Sequence, residues 1–474
     1  MKEIQLLKKT LHAVMNNYSV QENDKYRPVW HLSPVAGLLN DPNGFIQFNG
    51  QYHLFYQWNP LACDHSNKFW GHWSSADLVH WQHEPVALLP TEKFDIDGCF
   101  SGSAVNDDGQ LVLVYTGNVM LGETEADRTA WQCIARQGED GEFKKQPVIG
   151  QLEGYTGHIR DPKVWKENGL WYMVLAAQDL KKQGKVLLLE SPDLENWTLK
   201  SEIAGSELKD TGPFGYMWEC PDLFRLDGQD VLISCPQGVT AEERRYLNMY
   251  QCGYVLGQLD YSTGDYPHRP FLELDHGHEF YAPQTTLAAD GRRLLIGWMG
   301  VPDQDEFSQP TLAYGWIHMM SCPRELRIKE GVLYQLPVKE LEDLRSEHQH
   351  LIGSAETLPT FEVSSAELII SNTGDFEINI SNTLRLTCDS TGITLTRKSL
   401  SSDVNEVRYW DQTVEKLQIL IDHSSVEIFV NDGLGTLTSR YFPQDEKPVL
   451  SFSGPATLEV DYWVLKAAPL VKAC

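Results

Sequence analysis

A short pattern recurs five times along the chain: an Asn-Gly or Asp-Gly pair followed by a run of aromatic and branched residues. The pairs begin at Asn49, Asp108, Asn168, Asp227 and Asp290, which gives spacings of 59, 60, 59 and 63 residues. Such pairs favour the tight turn of a β-hairpin, and a regular repeat of short strands and turns is typical of β-propeller blades. The sequence therefore predicts a five-bladed β-propeller.

The repeat stops after Trp298, and the rest of the chain predicts a second folding unit. Charged residues dominate 337–350, where the pattern favours a linker helix. Short alternating segments then continue to the C-terminus and predict a β-sandwich over 351–474. We therefore expect an all-β protein in which a propeller at 28–336 is followed by the linker helix and the sandwich.

The first 27 residues (1–27) form a lead-in to the propeller, and their apolar residues Ile4, Leu7, Leu11 and Val14 predict an amphipathic helix. This stretch lacks the continuous apolar core of a secretory signal, and no run approaches the ~18 apolar residues of a membrane span. Nine cysteines without a CxxC pair favour a reducing compartment over a disulfide framework. We expect a cytoplasmic protein.

The strong negative charge of the chain restricts its partners. The sequence holds 39 Lys and Arg against 66 Asp and Glu, for a formal net charge of -27. This excess argues against nucleic acid or an anionic membrane as a partner. A Gly-rich phosphate loop is also missing from the sequence, which argues against nucleotide-dependent chemistry. We expect a small-molecule substrate, and the oligomeric state stays open.

Three carboxylates occupy equivalent places in the repeat. Asp41, Asp161 and Glu219 lie eight, seven and eight residues before the Asn or Asp of the recurring pair in repeats one, three and four. In repeats two and five the same place holds hydroxyl and aromatic groups, around Ser101 and Tyr281. The strand before the central hairpin is innermost in a propeller, so these places converge near its axis. The sequence predicts a funnel containing three acids.

Clustered acids repel one another, which makes a chemical role for them more plausible than a structural one. Two carboxylates are the minimum for glycoside hydrolysis, and a third could hold sugar hydroxyls. Tryptophans could stack against a sugar, although core packing is their commoner role. These are Trp30, Trp58, Trp70, Trp73 and Trp298.

Two other interpretations of the acids stay open at this point. Each Asp could simply cap a turn. Alternatively, a metal could be held by His158 with Asp161, or by Asp422 with His423. Neither spacing matches a compact metal motif, so we predict no metal site.

Several motifs together resemble glycoside hydrolase family 32, the β-fructofuranosidases of the invertase, sucrose-6-phosphate hydrolase and inulinase group. The resemblance runs from about residue 28 to the C-terminus. Its motifs are Asn40-Asp41-Pro42-Asn43-Gly44, Phe100-Ser101-Gly102-Ser103, Arg160-Asp161-Pro162, Glu219-Cys220-Pro221 and the segment 422–429.

The resemblance implies a retaining hydrolysis of the fructosyl linkage of sucrose, and of sucrose 6-phosphate, without a cofactor. It implies Asp41 as nucleophile, Glu219 as general acid and base, and Asp161 as stabiliser of the transition state. Further residues would contact the substrate or shape its pocket. These are Asn40, Gln57, Trp70, Phe100, Ser101, Arg160, Tyr281 and Trp298.

The chain departs from the family pattern at two places. Leu38-Leu39 stand where the family usually has Trp-Met, and His65 stands where many relatives have Trp. A substrate phosphate would need local cations in so acidic a protein. The candidates are His65, Lys68, Arg244 and Arg245, each of which could equally be an ordinary surface residue.

Three alternative functions remain at this stage. The chain could act on other fructosides or fructo-oligosaccharides, as inulinases do. It could be a related arabinan- or xylan-acting enzyme, in which a wider carboxyl separation would give inversion. It could also be a carbohydrate-binding propeller without catalysis.

Overall fold

The computed structural model describes residues 2–18, 23–208, 211–371 and 374–470. The chain begins with helix α1, Lys2–Tyr18, where the amphipathic helix was predicted. Asn17 near the end of this helix donates a hydrogen bond from Nδ2 to the carbonyl of Gly315, at 2.9 Å. The contact ties the helix to the propeller. No helix in the described ranges is long and apolar enough to span a bilayer.

Residues 37–337 form five sheets of four antiparallel strands each, and the first sheet gains a fifth strand from the last repeat. The strands of the first two sheets are β1 Gly37–Phe48, β2 Gln51–Asn59, β3 Phe69–Ser75, β4 Trp81–His83, β5 Cys99–Asp107, β6 Gln110–Met120, β7 Arg128–Gln137 and β8 Phe143–Ile149. Those of the third and fourth sheets are β9 Tyr155–Glu167, β10 Leu170–Asp179, β11 Gly184–Ser191, β12 Thr198–Gly205, β13 Met217–Leu226, β14 Gln229–Gln237, β15 Gly253–Gly257 and β16 Leu272–Glu273. The last part contains β17 Tyr281–Leu287, β18 Arg293–Trp298, β19 Trp316–Ile317, β20 Arg324–Lys329 and β21 Val332–Pro337.

The five sheets are arranged as a closed ring. The first strands of the sheets, β1, β5, β9, β13 and β17, contact one another in this order, and β17 contacts β1. Strand β19 leaves the last repeat and pairs in parallel with the start of β1, where Trp316 lies opposite Gly37. The first strand of every sheet therefore lines the centre of the ring.

The recurring Asn-Gly and Asp-Gly pairs form the turns between the first and second strands. At Asn49, Asp108, Asn168 and Asp227, both residues of the pair have positive φ, as a type I′ hairpin requires. The fifth pair lies in a longer connection, 288–292, in which Gly291 has a φ of 88°. The turn prediction is confirmed, with a longer loop in the last repeat.

The C-terminal part contains two six-stranded sheets packed around their own apolar core. The strands of one sheet are, in spatial order, β22 Arg345–Ser354, β33 Thr457–Leu465, β24 Ala366–Ser371, β29 Lys416–Asp422, β30 Ser425–Val430 and β31 Gly435–Arg440. Those of the other are β23 Phe361–Glu362, β32 Val449–Ser453, β25 Phe376–Ile380, β26 Leu384–Asp389, β27 Gly392–Lys398 and β28 Asn405–Trp410. This arrangement is a β-sandwich.

The linker helix predicted over 337–350 is wrong. Residues Lys339–Leu344 form a short 3₁₀ helix, and the chain then continues as the edge strand β22. Two residues of this segment find acidic partners on other strands of the same sheet. Arg345 pairs with Glu367 at 2.7 Å, and His348 lies 2.8 Å from Asp461. Charged side chains are a common protection of exposed sheet edges, so composition alone misled the assignment.

A buried charge network joins the propeller to the sandwich. Arg324 of β20 donates to Glu427 of β30 at 2.6 Å and to Asp275 at 3.2 Å. His31 contacts both Asp422 and Glu427 at 2.9 Å. Burial alone would raise the pKa of Glu427, but Arg324 and His31 outweigh it and lower the pKa to about 2. The motif at 422–429 thus lies in a contact between the two units, where Asp422 accepts protein hydrogen bonds.

Candidate active site

Every propeller sheet has a β-bulge at the same place in its first strand. The regular pairing with the second strand shifts at Leu39/Pro42, Phe100/Gly102, Arg160/Lys163, Glu219/Asp222 and Tyr281/Gln284. Within these bulges Asp161, Cys220 and Ala282 adopt positive φ values of 66°, 48° and 47°. A bulge bends its strand and redirects a side chain. Because all five bulges face the centre of the ring, they gather polar side chains at one point.

The first carboxylate of this cluster is Asp41 on β1. Its Oδ2 accepts a hydrogen bond from the Ser101 hydroxyl at 2.5 Å, and its Oδ1 accepts one from Asn40 Nδ2 at 3.1 Å. The Cys220 sulfur lies 3.6 Å from an oxygen of Asp41 and 3.6 Å from an oxygen of Asp161. The two aspartates therefore flank a single thiol, as the repeat offsets predicted for neighbouring acids.

The third carboxylate, Glu219, is held by four donated hydrogen bonds. Arg160 donates from Nε at 2.9 Å and from Nη2 at 2.7 Å to Oε1. Tyr281 and Gln237 donate to Oε2 at 2.6 Å and 2.8 Å. Its orientation is therefore fixed by side chains from three sheets.

Burial and mutual repulsion set the protonation of the aspartates. For Asp161, burial and the charges of Glu219 and Asp41 raise the pKa to about 7, although Arg160 opposes them. Burial also raises the pKa of Asp41, against the hydrogen bond from Ser101. Asp161 therefore binds a proton near neutral pH, although Arg160 lies beside it. The cluster is suited to acid and base chemistry.

Some of the predicted contact residues lie behind this cluster. Gln57 donates from Nε2 to the carbonyl of Cys99 at 2.7 Å, and Trp70 donates from Nε1 to the carbonyl of Phe100 at 3.1 Å. Both side chains are buried, and the ring of Trp70 packs on Phe55. The structure therefore places Trp70 in the core, where it supports the strand of Ser101. Trp30, Trp58 and Trp73 are also core residues.

Other predicted wall residues stand closer to the carboxylates. Tyr281 contacts Glu219 directly, and the buried Trp298 lies edge-on to Tyr281 with ring centres 6.2 Å apart. Phe100 is partly exposed beside Ser101, and the guanidinium of Arg128 lies 5.1 Å from the centre of its ring. Leu38 and Leu39 are fully buried.

The four candidate phosphate ligands do not come together. His65 and Lys68 contact each other next to Asn40. Arg244 instead pairs with Asp411 of the sandwich, and Arg245 pairs with Glu242. The two arginines thus already have acidic partners, and they share none of them with the histidine and lysine.

Two residues of the cluster were not predicted, Gln237 and the thiol of Cys220. Gln237 ends β14, which is a second strand, whereas the repeat offsets concern first strands. Cys220 belongs to a predicted motif, and its thiol reaches the aspartates because it follows Glu219 in a bulge. A proline within four of the five bulges was the available signal, because proline inside a sheet is confined to edges and bulges. These are Pro42, Pro162, Pro221 and Pro283.

In the described parts of the chain, no group of three or more His, Cys, Asp or Glu side chains is arranged to hold a metal ion. His158 instead lies 3.2 Å from Arg160, through its Nδ1. The polar residues of the carboxylate cluster hydrogen-bond to one another.

Comparison with known proteins agrees with this architecture. The family model of the glycosyl hydrolases family 32 N-terminal domain matches residues 31–337, and that of the family 32 C-terminal domain matches residues 340–463. The sucrose-6-phosphate hydrolase of Salmonella typhimurium is 53% identical over 458 residues, 96% of this chain and 97% of that protein. That of Bacillus subtilis is 41% identical and covers 97% of this chain and 98% of its own.

Two solved structures share the fold over nearly their whole length. The sucrose-6-phosphate hydrolase of Lactobacillus gasseri has a TM-score of 0.88 at 30% identity, and covers 97% of both chains. The GH32 β-fructofuranosidase of Bombyx mori has a TM-score of 0.87 at 33% identity, and covers 99% of both chains. The predicted propeller followed by a sandwich is confirmed, and the chain belongs to glycosyl hydrolase family 32.

Proposed function

We propose that this chain is a retaining β-fructofuranosidase that hydrolyses sucrose and sucrose 6-phosphate. The observation that carries the proposal is that the charges of Asp41 and Glu219 interact within one cluster, while each carboxylate is oriented by its own set of donors. Retention needs a nucleophile and a separate proton donor. The cluster supplies a carboxylate for each role and a third beside them.

Asp41 is the nucleophile toward the anomeric C2 of the fructosyl unit. Ser101 and Asn40 each donate to one of its oxygens and so fix the direction of the carboxylate. A fixed nucleophile removes much of the entropic barrier to attack. The covalent fructosyl-enzyme that forms is then released by water.

Glu219 donates the proton to the leaving glycosidic oxygen and later takes one from the attacking water. Arg160, Tyr281 and Gln237 hold its carboxyl group in place. A carboxyl group held in this way is positioned for the proton transfers of general acid and base catalysis. Asp161 lies on the same side as Arg160 and accepts hydrogen bonds from fructosyl hydroxyls as charge develops at C2.

The choice of substrate rests on the relatives. The proteins from Salmonella typhimurium and Bacillus subtilis are sucrose-6-phosphate hydrolases, and a variant of the Bombyx mori enzyme has been solved in complex with sucrose. These relatives and the carboxylate cluster together support cleavage of the sucrose linkage.

The proposal is tested by measuring kcat/KM for sucrose, sucrose 6-phosphate, raffinose and inulin with one preparation. We expect activity on the first two and retention at C2, followed by NMR of the first-formed fructose. Asp41→Asn and Glu219→Gln should each nearly abolish turnover, whereas the exposed controls Asp403→Asn and Glu415→Gln should not. Inverted product, or normal turnover by Asp41→Asn, would refute the assigned mechanism.

A further inference from the structure

A lysine ammonium lies one side chain away from the proposed nucleophile. Lys68 donates from Nζ to Asn40 Oδ1 at 2.6 Å, and Asn40 donates from Nδ2 to Asp41 Oδ1 at 3.1 Å. An amide that accepts on one side and donates on the other has its orientation fixed. The hydrogen bond from Lys68 therefore holds Asn40 with its amide NH₂ group toward Asp41.

Lys68 is held by a series of hydrogen-bonded side chains that begins at the partly exposed His65 and continues to the buried Glu306 and His318. Its ammonium can only donate, so His65 Nδ1 accepts and His65 Nε2 carries a proton. That nitrogen donates to Glu306 Oε1 at 2.9 Å. His318 Nε2 donates to the same oxygen at 3.0 Å, while its Nδ1 accepts from Gln309 at 3.1 Å.

Glu306 connects this series of hydrogen-bonded side chains to the loop after β18. Its Oε2 accepts the backbone N–H of Asp303 at 2.8 Å, and its side chain is fully buried. The hydrogen bonds from His318 and His65 hold the pKa of Glu306 low despite its burial. Glu306 therefore stays ionised and offers a fixed negative charge behind His65.

The charges around Lys68 and Asp41 are complementary. Asp41, Glu306 and Asp64 face the ammonium, together with Nδ1 of His65. Asp41 faces Glu219 and, across the Cys220 thiol, Asp161.

Two cations offset the charges of different carboxylates in this cluster. Arg160 offsets the charge of Glu219 and Asp161, and Lys68 offsets that of Asp41. Asp41 would otherwise be a buried carboxylate beside other acids, which favours its protonated form.

We propose that Lys68, held by His65 and Glu306, is a positioning residue for Asp41. It orients Asn40 and supplies the positive charge that keeps Asp41 ionised for attack. This inference rests on the proposed role of Asp41. It also reassigns Lys68 and His65 from the phosphate of the substrate to the support of the nucleophile.

The titration of Lys68 predicts the direction in which the pH profile of activity should change. Burial lowers the pKa of Lys68 to about 8, although Asp41 and Glu306 oppose it. Below this pH the ammonium is present, and above it the positive charge is lost. Removing the charge by mutation should raise the pKa of Asp41, so a higher pH is then needed to ionise the nucleophile.

The test compares Lys68→Met with the wild type on sucrose and on sucrose 6-phosphate over pH 5 to 9. We expect kcat/KM to fall about 10- to 100-fold on both substrates, mainly through kcat. The acid limb of the profile should move up by about one pH unit. The exposed Lys398→Met is the matched control and should leave the profile unchanged.

His65→Ala provides a second variant, because the His65 side chain is 34% exposed and its truncation disturbs less of the core. It should shift the acid limb in the same direction by a smaller amount, and it replaces Lys68→Met if that variant fails to melt cooperatively. An unchanged kcat and acid limb in both variants would overturn the proposal.

A loss confined to sucrose 6-phosphate would also overturn it, because it would make Lys68 a ligand of the phosphate. Normal turnover by Asp41→Asn would instead refute the proposed function, so the two failures are distinguishable.

Discussion

Replacing Asp161 by Asn should make the protein more stable at pH 8 while it removes most of the activity. The carboxyl of Asp161 titrates at an ordinary 3.8 in the unfolded chain, and burial with the nearby acids raises its pKa to about 7 in the fold. At 1.36 kcal/mol for each pH unit, this difference corresponds to roughly 4 kcal/mol. Folding therefore opposes ionisation of this group.

The sign of the pH dependence follows from proton linkage. Between about pH 4 and 7 the folded protein keeps a proton on Asp161 that the unfolded chain has released. The favourable contribution of this group is full below pH 4 and is lost as the pH rises to 7. An uncharged Asn avoids the loss, so the stabilisation by Asp161→Asn should be small at pH 5 and large at pH 8.

The substitution changes little besides the charge. Asp161 has a φ of 66°, and Asn tolerates this left-handed region as well as Asp does. The amide oxygen of Asn can still accept the backbone N–H of Cys220, which lies 3.0 Å from Asp161 Oδ2. Backbone strain is therefore the same in both proteins.

The assay is thermal unfolding followed by circular dichroism at pH 5 and pH 8, with Asp403→Asn as an exposed control. We expect the Tm of Asp161→Asn to exceed that of the wild type by several degrees at pH 8. A Tm difference that is equal at the two pH values, or negative at pH 8, would refute the reasoning. Fructose release measured on the same samples should fall at least about 100-fold.

Three further predictions follow from the same contacts. Arg324→Met should destabilise the protein by about 3–5 kcal/mol, because Glu427 loses a buried partner. Thermal unfolding measures the loss, with the exposed Arg327→Met as the control. Burial and the neighbouring carboxylates raise the pKa of Cys220, so iodoacetamide should label it slowly at pH 8, as mass spectrometry of the peptide would show. The kcat/KM of the wild type should fall as pH drops below about 7, because protonation of Asp161, and of Asp41 with its raised pKa, removes carboxylates that the reaction needs. A flat profile from pH 5 to 7 would contradict this.

Much of the propeller could be predicted because its signals are local. An Asn-Gly or Asp-Gly pair determines a turn through its own backbone preferences, and the offset from that turn located Asp41, Asp161 and Glu219. The contacts among these acids depend on bulges. Bulges arise from pairing with another strand, and in the sequence only the prolines within them indicate where they lie.

The features that could not be predicted have the opposite origin. The charged segment 337–350 looks helical by itself, and its strand forms because β33 and Glu367 provide partners far away in the sequence. Trp70 resembles a sugar platform by residue type, whereas its burial depends on neighbours in two sheets. His65 and Lys68 were noticed as cations, but their partner Glu306 lies more than two hundred residues later.

The parallel pairing of β19 with β1 has a consequence for the order of assembly. Gly37 and Leu38, which directly precede the segment that carries Asp41, pair with Trp316 and Ile317. During synthesis the nucleophile strand leaves the ribosome early, yet its last neighbour follows almost 280 residues later. Long-range pairing of this kind slows folding. The strand that carries Asp41 can therefore be fully paired only after nearly the whole ring has been synthesised. We expect the carboxylate cluster to form late in folding.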